Sequence, residues 1–146
     1  MSFKIEAYCD GSCLGNPGSG NHSAILLLRN EHFTIQKREF KGERSAYTTN
    51  NREELKAAIL VMNKLDIKTI PITIHTDSMY VISGITKWIH NWKRIGQFDS
   101  NSKYKNIDLW IELDQKTQGL DITWQYVRGH SGNQYNERCD ELAKEM

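Results

Sequence analysis

Tyr8-Cys9-Asp10-Gly11-Ser12-Cys13-Leu14-Gly15-Asn16-Pro17-Gly18-Ser19-Gly20 is the stretch on which the reading of this chain turns. Phe3, Ile5, Ala7 and Cys9 fall on one side of the chain, and Lys4, Glu6, Tyr8 and Asp10 on the other. That period of two predicts a strand over 3–10. Four glycines and one proline follow in residues 11–20, which predicts a tight loop. A carboxylate at a strand end, beside backbone free of side chains, is well placed to hold a metal ion. It supplies a hard oxygen ligand and leaves room for another ligand to approach. A plain β-hairpin with an aspartate at its turn fits the same residues. The stretch alone leaves both readings open.

The length of 146 residues predicts one domain over 1–146, large enough to bury roughly 68–70% of its unfolded surface without staples. Apolar residues at 38% and charged residues at 25% exclude a disordered chain. A net charge of +1 means that any nucleic-acid-binding surface must be local. The three cysteines, Cys9, Cys13 and Cys139, form neither a disulfide framework nor a zinc spacing, and they point to reduced thiols in a cytoplasmic protein. The start Met-Ser-Phe-Lys-Ile-Glu has no signal character, and no apolar run approaches the ~18 residues of a membrane span.

Outward from the glycine loop, Ser23–Leu28 and Phe33–Phe40 predict two more strands, with Asn30-Glu31-His32 as the turn between them. Asn50 followed by Glu53 resembles a capping box. Leu55, Ala58, Ile59 and Met62 then give one apolar helical face running to about Lys64. Glu54 lies at the margin of that face, whereas Glu53, 100° further round, is expected to cap or to be solvated. Ile70–Thr76 predicts a buried strand ending at Asp77, with Ser78 capping the next helix. Ligands gather at such strand ends in open α/β sheets. Residues 79–96 predict helix with a break at Gly84, and Trp88 and Trp92 share a face. Gln97–Ser102 is a polar loop. A helix with Leu109, Leu113 and Lys116 starts near Asn106 or Ile107, and Leu120–Val127 alternates as a last strand. After the loop Arg128–Asn133, a final helix carries Cys139, Leu142, Ala143 and Met146. Its short packing face predicts a C-terminus that frays. The fold class is therefore α/β: a five-stranded mixed sheet, three antiparallel strands then parallel ones, with helices on both faces.

Several motifs now stand in order along nearly the whole chain: Asp10-Gly-Ser with Gly15-Asn16-Pro17-Gly18; Thr48-Thr49-Asn50-Asn51-Arg52-x-Glu54-Leu55; Thr76-Asp77-Ser78-x-Tyr80-Val81; Trp88-Ile89-x-Asn91-Trp92; and Gly129-His130 with Asn136-Glu137-x-Cys139-Asp140. Together they resemble ribonuclease H of the type 1, bacterial-like family. The resemblance implies a ribonuclease H-like fold and a metal-dependent endonuclease that cuts the RNA strand of RNA–DNA hybrids, leaving 5′-phosphate and 3′-hydroxyl ends. It implies roles in removing RNA primers and R-loops.

Carried over position by position, the resemblance makes Asp10, Glu54, Asp77 and Asp140 the metal ligands, with Asp10 bridging two Mg²⁺ ions; Mn²⁺ is the alternative. Two such ions about 3.5–4 Å apart can activate water, stabilise the leaving oxygen and neutralise phosphate charge. Four crowded carboxylates repel one another without metal, so some of their pKa values should be raised. His130, flanked by glycines, is implied to assist from a mobile loop, where an imidazole can accept or pass a proton. His22, His32, His75 and His90 are expected to be structural or at the surface, His75 partly buried.

The resemblance also assigns Gly11, Ser12, Cys13, Asn16 and Asn50 to the RNA-side groove, where the 2′-OH is read. Asn51 falls at the border between strands, and Thr49 and Asn16 at DNA phosphates. Trp88 and Asn91 fall in the DNA groove, whereas Trp92 is expected in the core. Met79 stands where the family often has Gln, so a minor-groove hydrogen bond is lost or replaced. Lys87–Lys105 resembles the family's basic protrusion; Lys87, Lys93, Arg94, Lys103 and Lys105 face only Asp99 in charge. Lys93 and Arg94 are implied substrate contacts, and the patch implies salt-sensitive, sequence-independent binding. A monomer is expected, with a single-stranded-DNA-binding protein as a partner to consider. The competing readings are a hybrid-binding module without catalysis and a resolvase- or integrase-like relative. The full acidic set argues against the first, and the His130 loop with the basic segment against the second.

Overall fold

The structure, a computed structural model, describes residues 2–145. Met146, placed above on the last helix, lies outside the described residues. The alternation of the opening stretch continues further than expected: β1 runs Lys4–Cys13 and β2 runs Gly18–Arg29, paired antiparallel from Lys4↔Arg29 to Cys13↔Gly20. The glycine stretch is thus mostly strand, and only residues 14–17 turn. Gly18 and Gly20 lie inside β2, where a Cβ on Gly20 would come 2.5 Å from the Ser12 carbonyl oxygen.

Thr34–Lys41 forms β3, antiparallel to β2. Ser45–Thr48 forms a short β4 that pairs with the start of β2 and was not expected. After the helix α1 (Asn50–Lys64), β5 (Ile72–Thr76) lies parallel to β1, and β6 (Ile122–Tyr126) lies parallel to β5. The path is β3-β2-β1-β5-β6, with β4 added beside β2. This is the expected mixed sheet with a sixth, short strand.

Strand alternation gives the sheet two apolar faces. Ile5, Ala7, Cys9, Ala24 and Leu26 pack with Leu55, Ala58, Ile59 and Met62 of α1. Tyr8, Ile25 and Leu27 pack with Cys139 and Leu142 of the last helix, α5 (Gln134–Lys144). Arg44 donates to the carbonyl oxygens of Ala143 and Glu145 and so ties down the end of α5, which opposes the expected fraying.

Between β5 and β6 the chain forms α2 (Met79–Ser83), a π-helical turn at Gly84–Trp88, α3 (Ile89–Arg94) and α4 (Ile107–Thr117). Gly84 does not break the helix. Its backbone oxygen accepts from the Ile89 N–H, and a Cβ there would overlap the buried Trp110 ring. Tertiary packing, not helix propensity, accounts for that glycine.

Candidate active site

Each acidic residue is delivered by the end of an element. Asp10 lies on β1 opposite Ser23, Asp77 directly follows β5, and Glu54 lies near the start of α1, just past its first turn. One carboxylate oxygen from each of the three lies within 4.8 Å of the others. Asp10 and Glu54 are buried and Asp77 is half-buried. Two close backbone approaches make this possible. The first turn of α1 lies against Gly11, whose N–H donates to Glu54 Oε1. Gly129 lies against Asp77, and a Cβ there would come 2.9 Å from Asp77 Oδ2.

The electrostatics follow from that crowding. Burial first, and then the Asp77 charge, push Asp10 up to about 7; Asp140 adds to the rise and a hydrogen bond with Glu54 opposes it. Burial and the Asp10 charge hold Glu54 well above the usual carboxylate range. The expected rise in pKa therefore falls on these two carboxyls. The donor set is all oxygen and anionic, the chemistry that suits a hard divalent cation. Asp140, on α5, is close enough to act on Asp10 but stands outside the three-oxygen set. Its Oδ2 accepts from Lys144 Nζ at 3.0 Å. His130 is exposed, has a positive φ of 55°, and follows Gly129 in the loop beside Asp77.

The other residues singled out in the sequence fall into two groups. In the first, Gly11, Ser12 and Cys13 continue β1 past Asp10. Asn16 accepts from the Asn50 N–H at 3.0 Å, which joins the β1–β2 turn to the start of α1. The N-cap of α1 is Thr49, which accepts from the Arg52 N–H, and not Asn50; Asn50 and Asn51 lie inside the first turn and are exposed. Asn16, Thr49, Asn50, Asn51, Arg52, Lys105 and Asn106 line an open polar cleft of about 500 Å³. Arg52 and Asn106 were not assigned a site role from sequence, and their positions explain why. Arg52 reaches Asn106 and Asp108 across 54 and 56 residues, and Asn106 enters the cleft through a left-handed backbone, φ 63°.

In the second group, Trp92 is buried, stacked on Tyr104 with ring centroids 4.5 Å apart, whereas Trp88 is 37% exposed. Asn91 accepts from Arg94, and Lys93 forms a 2.9 Å ion pair with Asp114. Met79 is exposed.

Glu53 departs most from expectation. It is fully buried, neither capping nor solvated. Its Oε1 pairs with His22 Nδ1 at 2.9 Å, and its Oε2 accepts from Thr48 Oγ1 at 2.8 Å and from Lys56 Nζ at 3.1 Å. Burial would raise its pKa, but these partners outweigh burial and hold it below the usual range.

No helix among the described residues is long and apolar enough to cross a membrane. The RNase H family model matches residues 3–146. A relative from Haemophilus influenzae named Ribonuclease HI is 48% identical over 145 residues, covering 99% of this chain and 90% of that protein. A crystal structure of LC9-RNase H1, a type 1 RNase H with the type 2 active-site motif, superposes with a TM-score of 0.82 at 28% identity, covering 98% of this chain and 71% of that one. LC11-RNase H1, solved in complex with RNA/DNA hybrid, shares the fold with a TM-score of 0.62 at 16% identity, covering 95% of this chain and 93% of that one. With this identity and coverage added to the acidic strand-end cluster, the chain belongs to the RNase H family and is an endoribonuclease.

Proposed function

We propose that the enzyme hydrolyses the RNA strand of RNA–DNA hybrids with two divalent cations, Mg²⁺ or alternatively Mn²⁺, and leaves 5′-phosphate and 3′-hydroxyl ends. The observation that carries this reading is the convergence of Asp10, Glu54 and Asp77, with an oxygen of each within 4.8 Å of the others. The raised affinity of Asp10 and Glu54 for protons reports an anionic site short of positive charge. Bound divalent cations would supply that charge, an activated water and stabilisation of the leaving oxygen.

The chain's own residues do the rest. Asp10, central and buried, would be a ligand to the cations. Glu54 and Asp77 flank it, and Asp140 completes the set from α5. His130, on the loop that abuts Asp77, takes or passes a proton beside the site. Gly11–Cys13 and the Asn16–Asn50 contact form the RNA-side rim, where backbone and small side chains can approach a 2′-hydroxyl. The cleft formed by Thr49, Asn51, Arg52, Lys105 and Asn106 receives phosphate, and the exposed face of Trp88, with Asn91, meets the DNA strand.

We place this activity in a monomer in the cytoplasm, acting on RNA primers and R-loops. The free thiols of Cys9 and Cys139 suit a reducing compartment. The large exposed apolar side chains Phe33, Tyr47 and Met79 lie apart along the chain, in the β2–β3 turn, β4 and α2.

The test is cleavage of a hybrid labelled on its RNA strand, with Mg²⁺ and with chelator, for the wild type and Asp10→Asn. RNA-only, metal-dependent cutting that disappears in the variant is expected. Hybrid binding without cutting by the wild type would instead favour a binding module. Equal cutting of a four-way DNA junction would move the assignment within the superfamily.

A further inference from the structure

We propose that Glu53 is a positioning residue for Glu54: a buried anchor, gripped from the sheet by His22 and Thr48, that sets how the start of α1 faces the metal site. The inference rests on the reading of Glu54 as a metal ligand.

Glu54 is held weakly for a residue that must meet Asp10 and Asp77. Among the described residues its side chain accepts one hydrogen bond from the backbone, the Gly11 N–H. Its other neighbours at the site are the carboxyl groups of Asp10 and Asp77, one oxygen of each within 4.8 Å. One backbone contact leaves the side chain free to turn about it unless a second contact fixes the direction of the helix. Glu53, the preceding residue, is in a position to do so. Adjacent residues on a helix point about 100° apart, so fixing the direction of one fixes the direction of the next.

The anchor is built from several elements. His22 comes from β2, Thr48 from the end of β4, and Lys56 from the next turn of α1. Both oxygens of Glu53 are thus occupied from different sides, which constrains rotation as well as distance. Two glycines make room for the assembly. A Cβ on Gly20 would come 2.7 Å from Thr48 Cγ2 and 3.2 Å from Glu53 Cγ, and one on Gly42 would overlap the His22 ring. The Gly42 carbonyl oxygen accepts from Asn21 Nδ2 at 3.0 Å, and Asn21 Oδ1 accepts from the His22 N–H at 2.8 Å, so the histidine backbone is itself fixed.

An apolar side chain would fill the same space without the cost of desolvating a charge. What the carboxylate supplies is direction. Groups that orient a metal ligand from behind typically change metal affinity or activity by about 10–100-fold when removed.

The experiment compares Glu53→Met, Glu53→Gln and Thr48→Val with the wild type, at a temperature where each is folded. Two quantities are read: Mg²⁺ affinity of the substrate-free protein by titration calorimetry, and kcat and KM on a hybrid. Expected for Glu53→Met is a loss of about tenfold in kcat and a weaker Mg²⁺ affinity, with KM for the hybrid within about twofold. Glu53→Gln, which can still accept from Thr48 and Lys56, should recover part of both. If Glu53→Met does not fold, Thr48→Val, which removes one grip, should show the same split to a smaller degree. A lowered Tm with unchanged kcat and Mg²⁺ affinity would overturn the proposal and leave Glu53 a purely structural residue. Glu54→Gln is the separate control: if it leaves Mg²⁺ affinity and kcat intact, the reading of Glu54 as a ligand fails, whatever Glu53 does.

Discussion

Gly11 and Glu54 touch through backbone: the Gly11 N–H donates to Glu54 Oε1, and a Cβ on Gly11 would collide with the backbone carbon of Glu53 and the backbone nitrogen of Glu54. The sheet and the helix therefore meet where a side chain would separate them, and the acidic cluster exists only because they meet. Gly11→Ala should force α1 away from β1. The stability cost should be about 1–3 kcal/mol, as for other overpacked sites. The larger effect should be catalytic, since a ligand displaced by about 1 Å can cost on the order of a hundredfold. A denaturant melt and a cleavage assay on the same sample check this. Unchanged kcat in a folded Gly11→Ala variant would show that the contact is not needed to place Glu54.

Asp10 makes the metal-free protein sensitive to pH in a definite direction. Well below pH 4 its carboxyl is protonated in both folded and unfolded chains and contributes nothing. As the pH rises past the ordinary aspartate value the unfolded chain releases the proton, whereas the folded protein keeps it until about pH 7. Stability is therefore lost as the pH rises through that window. Asp10→Asn removes the effect. With chelator present the variant should be more stable than the wild type at pH 8, by up to roughly 4 kcal/mol, and the gap should close toward pH 4. Mg²⁺ should raise the wild-type Tm and move the variant much less. Melts across pH with and without metal read this directly, and a gap that does not change with pH would refute it.

The strands were legible because alternation is a local signal, whereas Asp10, Glu54, Asp77 and Asp140 were joined into one set by the motif resemblance, since each alone reads equally as a cap, a helix-dipole partner or a solvated acid. What was not legible depends on contacts distant in sequence. Ser45–Thr48 is too short to show a period and becomes a strand only because β2 extends far enough to pair with it. Glu53 resembles any first-turn acid until His22, 31 residues away, is brought to it by a strand whose glycines leave the space. Gly84 breaks a helix by propensity but serves here as a seat for Trp110. In each case tertiary packing overrides the local preference.

Trp88 and Trp92 lie on one helical face yet should fail differently on truncation. Trp92 is buried between Tyr104, Phe98 and Trp110, so Trp92→Ala should cost about 3–5 kcal/mol of stability. Trp88 has a free face, so Trp88→Ala should cost less stability but weaken hybrid binding by about 1–3 kcal/mol, the usual scale of aromatic contact with nucleic acid. Paired melts and hybrid titrations separate the two. Loss of stability without loss of affinity in Trp88→Ala would place both indoles in the core.

The basic segment should be read by its unpaired charges. Lys93 is neutralised by Asp114 at 2.9 Å, whereas Lys87, Lys103 and Lys105 form no ion pair among the described residues. Each unpaired lysine that meets a phosphate releases about one counterion, so the slope of log affinity against log salt should shrink by about one when it is removed. Lys87→Ala and Lys105→Ala should therefore flatten the salt dependence. Lys93→Ala should change it less, because breaking its ion pair also frees Asp114. With three or four such contacts the wild type should lose about a hundredfold in hybrid affinity between 50 and 200 mM salt. Wild-type affinity that stays flat over that range would remove the segment from the binding surface, and a Lys93→Ala slope change as large as that of Lys87→Ala would show that the Asp114 pair opens when the hybrid binds.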